Sequence, residues 1–365
     1  MLVQRFSFII PWILLGLAGT TFGLDTQYVI HISVDGGGSS YIQTLINTDK
    51  LPNFKRLQTE GAWTLNARDD YDITVTLPNH VTQVTGRGIQ GVNGHNWTSN
   101  VDPALGQTIH NQKGSYVSGV FDVAHDYGLR TGMYAGKTKF SLFDTSYNAV
   151  NGAADYTGAD NGHDKIDTYV YNSNTVTLTN SFISAMQSNP FNYSFIHYVD
   201  PDVAGHGSGW GSDNYNMSLI TIDAYLGQIF DLVTSNATLQ GMTSIVLTAD
   251  HGGKGFDHSN ALEPLDYTIP FCVWGPGVMA GADLYALNTT SRLDPGAGRP
   301  PYSNPIQPIR NGDAPNLELQ LLDLPPVPGS TLNFTQNLAV PEPANIVLLF
   351  MGLIGFLLRI FCACK

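Results

Sequence analysis

Thr243-Ser-Ile-Val-Leu-Thr-Ala249-Asp250-His251-Gly252-Gly253 opens as an unbroken run of apolar and hydroxyl residues and stops at an acid, an imidazole and two glycines. A short run without polar alternation reads as a strand buried on both faces, the kind found in parallel sheets. Ligands of such sheets gather just beyond the carboxyl ends of the strands. Two further segments have the same form. Tyr28 to Val34 runs into Asp35-Gly36-Gly37-Gly38, and Tyr193 to Val199 runs into Asp200-Pro201-Asp202-Val203-Ala204-Gly205-His206. His258 follows His251 within the same stretch.

Outward from these strands, helical and strand patterns alternate from Leu24 to about Ser330, which predicts an α/β domain with a mainly parallel central sheet. Helices are expected at Pro52 to Glu60, Val117 to Tyr127, Asn214 to Val233 and Asn316 to Leu322. Strands are expected at Arg130 to Ala135 and Ile269 to Trp274. Residues 144–170 are rich in Asn, Gly, Ala and Asp, and read as a surface insertion that is either a cap over a site or a plain loop.

Composition narrows the function. The 365 residues are 42% hydrophobic and only 13% charged, with a formal net charge of -13 and no run of Lys or Arg. Binding to a nucleic-acid polymer is therefore not expected. An acidic exterior also repels anionic substrates, so any such substrate requires a locally bound metal.

Both ends read as targeting segments. Residues 1–23 carry Arg5, an apolar stretch from Phe6 to Ala18 and small residues up to Gly23, the pattern of a secretory signal peptide; a membrane anchor is the alternative. Pro11 interrupts the apolar stretch. After a linker at 331–340, residues 341–365 hold Pro341-Glu342-Pro343, an apolar segment from Ile346 to Leu358, Arg359 and the terminal Lys365. This resembles the PEP-CTERM sorting signal of Gram-negative bacteria. The resemblance implies transient inner-membrane anchoring, processing by an exosortase-type protease or transpeptidase, and delivery to the periplasm, outer surface or extracellular matrix. A plain C-terminal tail anchor is the alternative. Cys362 and Cys364 fall in that tail, which leaves Cys272 as a core thiol without an internal disulfide partner.

The strand-end clusters suggest metal chemistry, because carboxylates and neutral imidazoles suit zinc and two adjacent sites need about this many donors. A fourth segment, Thr74-Val75-Thr76-Leu77-Pro78-Asn79-His80, precedes a short helix ending near Gly86. A hydroxyl there faces phosphate at a helix N-terminus, or else serves as an N-cap.

Asp35-Gly36, Leu51-Pro52-Asn53-Phe54, Thr76 to His80 with Val84-Thr85-Gly86, Pro201-Asp202 with Gly205-His206, Asp250-His251-Gly252 and His258 stand in the order of the alkaline phosphatase superfamily. They most resemble its type I phosphodiesterase/nucleotide pyrophosphatase branch. The resemblance implies an alkaline-phosphatase-like three-layer sandwich and two zinc ions. Asp202, His206 and His258 would hold one ion; Asp35, Asp250 and His251, with the Thr76 oxygen, would hold the other. It further implies Thr76 as nucleophile through a phosphothreonine, and Asn96 as donor to a phosphate oxygen, with Asn79 as its rival. The branch's Tyr-Pro-x-x-His-Gly run is replaced here by Gly88 to Gly94.

Two zincs, three aspartates and an alkoxide leave a nearly neutral site, which suits a monoanionic phosphodiester. A dianionic monoester asks for added positive charge, and Lys137 and Lys139 are candidates, the alternative being an exposed loop pair. The substrate expected is a small phosphate ester. An alkaline phosphomonoesterase is the nearest alternative; a sulfatase or an inactive surface binding protein fits less well. His31 and His125 read as structural, His80, His95, His110, His163 and His197 lack a ligand motif, and Asp200 is expected to orient a ligand imidazole.

Overall fold

The computed structural model describes residues 26–157 and 162–332. The signal-peptide and PEP-CTERM readings, with Cys362 and Cys364, lie outside the described residues. Among the described residues no helix is long and apolar enough to cross a membrane.

Eight strands form one sheet: β1 Tyr28–Val34, β2 Ala62–Arg68, β3 Thr131–Ala135, β4 Thr168–Tyr171, β5 Tyr193–Tyr198, β6 Thr243–Thr248, β7 Thr268–Trp274 and β8 Ala282–Asp283. Their spatial order is β4-β3-β5-β1-β6-β7-β2-β8. The five strands from β4 to β6 are mutually parallel, and β7 runs antiparallel to both β6 and β2. The expected mainly parallel α/β sheet is therefore present, with one reversed strand.

The period of two along each strand divides its side chains between two cores. Val29, Met133, Phe195 and Val246 face a layer formed by helices Thr76–Thr85, Val120–Asp126 and Ala314–Leu321. Ile30, Ile32, Tyr134, Ile196 and Leu247 face the opposite layer, built on Ser39–Asn47, Pro52–Glu60, Thr175–Ser188 and Asp213–Ser235. Helix Pro52–Glu60 has Pro at its first turn, and its free N–H groups at Asn53 and Phe54 donate to Asp223 Oδ1 at 2.9 and 2.8 Å. That carboxylate belongs to Asp213–Ser235, so the cap also joins two helices of one layer. Cys272 is buried on β7 and burial pushes its thiol up to about 12, as a core residue requires.

Among its described residues, the segment 144–170 does not cap the site. Its described part holds buried Tyr147, Lys165 and Ile166, then becomes edge strand β4. Thr131, the first residue of β3, donates from Oγ1 to Lys165 O at 2.8 Å and from its N–H to Asp167 Oδ2 at 2.7 Å. A parallel neighbour must return to the strand's amino end, so this connection crosses to the end opposite Asp35, Asp202 and Asp250.

Candidate metal centre and nucleophile

Four neighbouring strands, β3, β5, β1 and β6, end on one side of the sheet and deliver the candidate residues there. Asp35 follows β1. The turn behind it requires glycine at Gly36, whose φ is +72° and where a Cβ would lie 3.0 Å from Asp202 Cα. Gly36 N–H donates to Asp250 Oδ1 at 3.1 Å, and its carbonyl accepts from Trp210 Nε1 and Tyr215 Oη. One residue thus ties the ends of β1 and β6 to the loop that follows the helix bearing Asp202 and to the next helix, Asp213–Ser235.

The donors form two sets. Asp202 Oδ1 lies 3.4 Å from His206 Nε2 and 3.7 Å from His258 Nε2, and those two imidazole nitrogens are 3.2 Å apart. Asp250 Oδ2 and Asp35 Oδ1 lie 3.1 and 3.6 Å from His251 Nε2. Two groups of donors converge within 4.8 Å: Asp35 with Asp250 and His251, and Asp202 with His251 and His258. His251 therefore borders both positions, its ring stacked on that of His258 at 3.6 Å. The second set is fully buried, whereas His206 is 46% exposed.

The hydrogen bonds suit these residues to metal ligation. His206, His251 and His258 place Nδ1 at 3.0, 2.9 and 2.7 Å from the carbonyls of Phe256, Gly252 and Thr74. A carbonyl only accepts, so each ring carries its proton on Nδ1 and turns Nε2 inward as a lone-pair donor. Asp35 Oδ1, Asp202 Oδ1 and Asp250 Oδ2 are buried without a hydrogen-bond partner. Orphaned carboxylate oxygens facing imidazole lone pairs fit divalent cations. Without a cation, the same acids charge one of these imidazoles. Burial alone would lower His251, yet Asp250, Asp35 and Asp202 push it up to about 10, whereas burial and His251 hold His258 down at about 3. Burial would raise Asp35, but Lys137, His197 and His251 hold it well below the usual carboxylate range.

Thr76 is the first residue of helix Thr76–Thr85 and is almost fully buried. It does not cap the helix: the N-cap is Val75, and Thr76 Oγ1 lies 3.4 Å from His251 Nε2 and 3.3 Å from Lys137 Nζ. Lys137 is not an exposed loop residue. Its Nζ, at 2.7 Å from both Asp35 Oδ2 and Asp202 Oδ2, is drawn into the centre, and those acids raise its pKa against the effect of burial.

Other expectations change. Lys139 Nζ binds the Asn100 carbonyl at 2.6 Å and Oδ1 at 3.2 Å, and Asn100 Oδ1 accepts from Leu77 N–H at 2.9 Å; this lysine braces the loop beside the nucleophile. Asn79 spends its amide on Asp70, Asn311, Ile73 and Val75, and so shapes the turn. Asn96 sits at φ 61°, its N–H donating to Ile89 O. Asn100 is the asparagine joined to the nucleophile segment, and sequence reasoning missed it. Asp200 accepts from Thr175 Oγ1 rather than orienting an imidazole.

His197, set aside in the sequence, has the orienting role. Gly136 N–H donates to its Nδ1 at 3.2 Å, so Nε2 carries the proton and donates to Asp35 Oδ2 at 2.8 Å. Parallel pairing of Ser33 with His197 brings Asp35, two residues beyond Ser33, to this ring. His31 is structural as expected, bound to Glu318 and Gln83, and His125 to Asp155.

Residues 29–271 match the profile of the family described as type I phosphodiesterase/nucleotide pyrophosphatase. Rat ectonucleotide pyrophosphatase/phosphodiesterase family member 3 is 28% identical over 257 residues, which is 67% of this chain and 27% of the relative. Human family member 5 is 26% identical over 255 residues, 67% of this chain and 49% of the relative. The chain thus spans between a quarter and a half of these relatives' length. A 2,3-bisphosphoglycerate-independent phosphoglycerate mutase of Prochlorococcus marinus is 29% identical over 174 residues, 46% of this chain and 28% of that enzyme. The solved structure of murine ectonucleotide pyrophosphatase/phosphodiesterase 5, an inactive variant in complex with AMP, shares the fold at TM-score 0.54 and 15% identity, covering 83% of this chain and 96% of that one. With the profile matched over most of the described domain, this chain belongs to the type I phosphodiesterase/nucleotide pyrophosphatase family, whose members are metal-dependent hydrolases of the alkaline phosphatase superfamily.

Proposed function

We propose that the protein is an exported two-zinc phosphoric ester hydrolase of the phosphodiesterase/nucleotide pyrophosphatase kind, with Thr76 as its nucleophile. The observation that carries this reading is the position of Thr76 Oγ1, 3.4 Å from His251 Nε2 at the edge of both donor sets. Asp202, His206 and His258 would hold one zinc, and Asp35, Asp250 and His251 the other, with the Thr76 oxygen beside it. When bound, the two ions lower the pKa of the threonine hydroxyl and neutralise charge on the entering and leaving oxygens.

The chain's own residues do the rest. Thr76 Oγ attacks phosphorus in line and expels the alcohol, forming a phosphothreonine. Water then displaces the threonine oxygen from the opposite side, so the two inversions retain configuration. Burial of Thr76 limits access of bulk water during the first step. Residues 1–23 and 341–365 support export and processing by an exosortase-type enzyme.

Hydrolysis of bis-(para-nitrophenyl) phosphate by the zinc-loaded protein is the direct test. Thr76→Ala should reduce kcat by roughly 10³-fold or more without loss of the folded near-ultraviolet signal. Hydrolysis equal to that of the unmutated protein would remove Thr76 from the reaction.

A further inference from the structure

We propose that His80 is a positioning residue, which aims the Thr76 nucleophile at the metal centre by tying its main chain to β1. The inference rests on the reading of Thr76 as nucleophile and adds the group that holds it in place.

His80 lies one helical turn after Thr76 and is fully buried. Its Nδ1 stands 2.8 Å from the Thr76 carbonyl oxygen, which only accepts, so Nδ1 carries the proton and donates. Its Nε2 stands 2.8 Å from Ser33 Oγ. Burial, with His197 alongside, holds the ring well below the usual imidazole range, so the ring is neutral and Ser33 Oγ–H donates to Nε2. Ser33 lies on β1, two residues before Asp35, and pairs with His197 on β5. One imidazole thus links the main chain of the nucleophile to the strand that delivers a carboxylate of the centre.

The ring is packed so that it cannot swing away. Phe140 and His197 meet it edge-on, with ring centroids 4.7 and 4.9 Å from its own. That histidine is the one that donates to Asp35, and Asp250 Oδ2 lies 3.6 Å from His80 Nδ1. Two other side chains hold the same stretch of backbone: Asn79 donates to the Val75 carbonyl, and Asn100 accepts from Leu77 N–H. Of the three, His80 is bonded directly to a strand that runs into a metal-facing acid. Without it, the polar bracing of the nucleophile runs through loops. A displacement of about 1 Å at an attacking atom costs on the order of 10² in rate.

The test uses the zinc-loaded full chain and bis-(para-nitrophenyl) phosphate, with zinc content and the folded near-ultraviolet signal measured for every variant. His80→Ala should lower kcat by about 10²-fold while KM and zinc content stay within about twofold. His80→Asn, whose amide nitrogen can take the place of Nδ1, should recover most of that loss. Ser33→Ala, which frees the ring from β1, should lower kcat by about five- to tenfold, the scale of one lost hydrogen bond. Orthovanadate gives a readout apart from turnover. Its five-coordinate form needs the threonine oxygen at attacking distance, so its affinity should weaken in step with kcat, whereas inorganic phosphate should bind as before. An unchanged kcat in His80→Ala, or one that falls only in proportion to zinc content, would overturn the role of His80 while leaving Thr76 as nucleophile. Vanadate and phosphate affinities that weaken together would do the same. If His80→Ala does not fold, a rate in Ser33→Ala equal to that of the unmutated protein overturns the proposal. Absence of Thr76-dependent hydrolysis would defeat the underlying reading and this inference with it.

Discussion

Two lysines stand at opposite ends of β3, Lys165 fully buried and Lys137 partly exposed, and their surroundings separate structure from function. Lys165, whose carbonyl meets Thr131 at the amino end, places Nζ against Asp155 and 3.1 Å from Asp126, with His125 Nδ1 2.9 Å from the same Asp155. Lys137, past the carboxyl end, likewise bridges two aspartates. At the amino end Lys165 and His125 face Asp126, Asp155 and, at 3.9 Å from His125 Nε2, Asp167. At the carboxyl end the acids meet further imidazoles, and both groups of converging donors found among the described residues lie there. Similar charges thus form ion pairs at one end and converging donor sets at the other.

The largest effect expected from breaking this comparison is on stability. Lys165→Met strands the Asp155 carboxylate, which is buried, and that of Asp126, which is partly exposed, and should cost about 3 kcal/mol in urea unfolding, with no change in Thr76-dependent rate. Lys137→Met should show a loss of that order in zinc-free protein and a much smaller one after zinc loading, because the cations then balance Asp35 and Asp202. Equal losses with and without zinc would remove the distinction between the two clusters.

The amino end also predicts a pH dependence. Burial pushes the Asp122 carboxyl up to about 7, against hydrogen bonds from Tyr116 and Gly119 that favour ionisation. A raised carboxyl binds its proton more tightly in the folded state. Its contribution is therefore full below the ordinary carboxylate range and lost as pH rises through about 7. Unfolding free energy, measured from pH 4 to 8.5, should decline relative to Asp122→Asn by on the order of 2–4 kcal/mol. A constant difference between the two proteins would show that Asp122 keeps an ordinary pKa.

The smallest effect concerns the two histidines that serve these clusters. His197→Ala should weaken zinc binding about 10–100-fold in competition with a chelator, because Asp35 loses the donor that orients it. His125→Ala, which removes a comparable bond to Asp155, should leave zinc affinity unaltered. Matching losses would mean that the effect is general loosening.

The strands carrying Asp35, Asp202 and Asp250 were legible because burial on both faces removes polar alternation and the charged residues begin where the strand stops. Helix Pro52–Glu60 was legible to the residue from its Pro and Gly limits. Helix Val120–Asp126 starts three residues later than the pattern suggests, since Gly119 N–H takes the Asp122 carboxylate as its cap. Helix Thr175–Ser188 escaped notice because Thr, Ser and Val dominate its outer face; Leu178, Phe182 and Met186, four apart, hold it to the core. Strand β2 has mixed burial without alternation, and β4 has four residues at an edge. Within the centre, the residues of the converging donor sets stood in local motifs. The roles of Lys137, Asn100 and His197 did not, because each depends on register between strands or loops distant in sequence.

The sheet order carries a consequence for how the chain reaches this state. None of the adjacent pairs β3-β5, β5-β1 and β1-β6 joins strands that are consecutive in sequence. No hairpin or single crossover unit can therefore assemble even one complete donor set before distant segments have paired. Such topologies place loop-closure entropy ahead of the reward, which slows folding. Cation capture by the two donor sets would then be a late event that locks a finished sheet, and chains ending before Asp250 would lack it altogether.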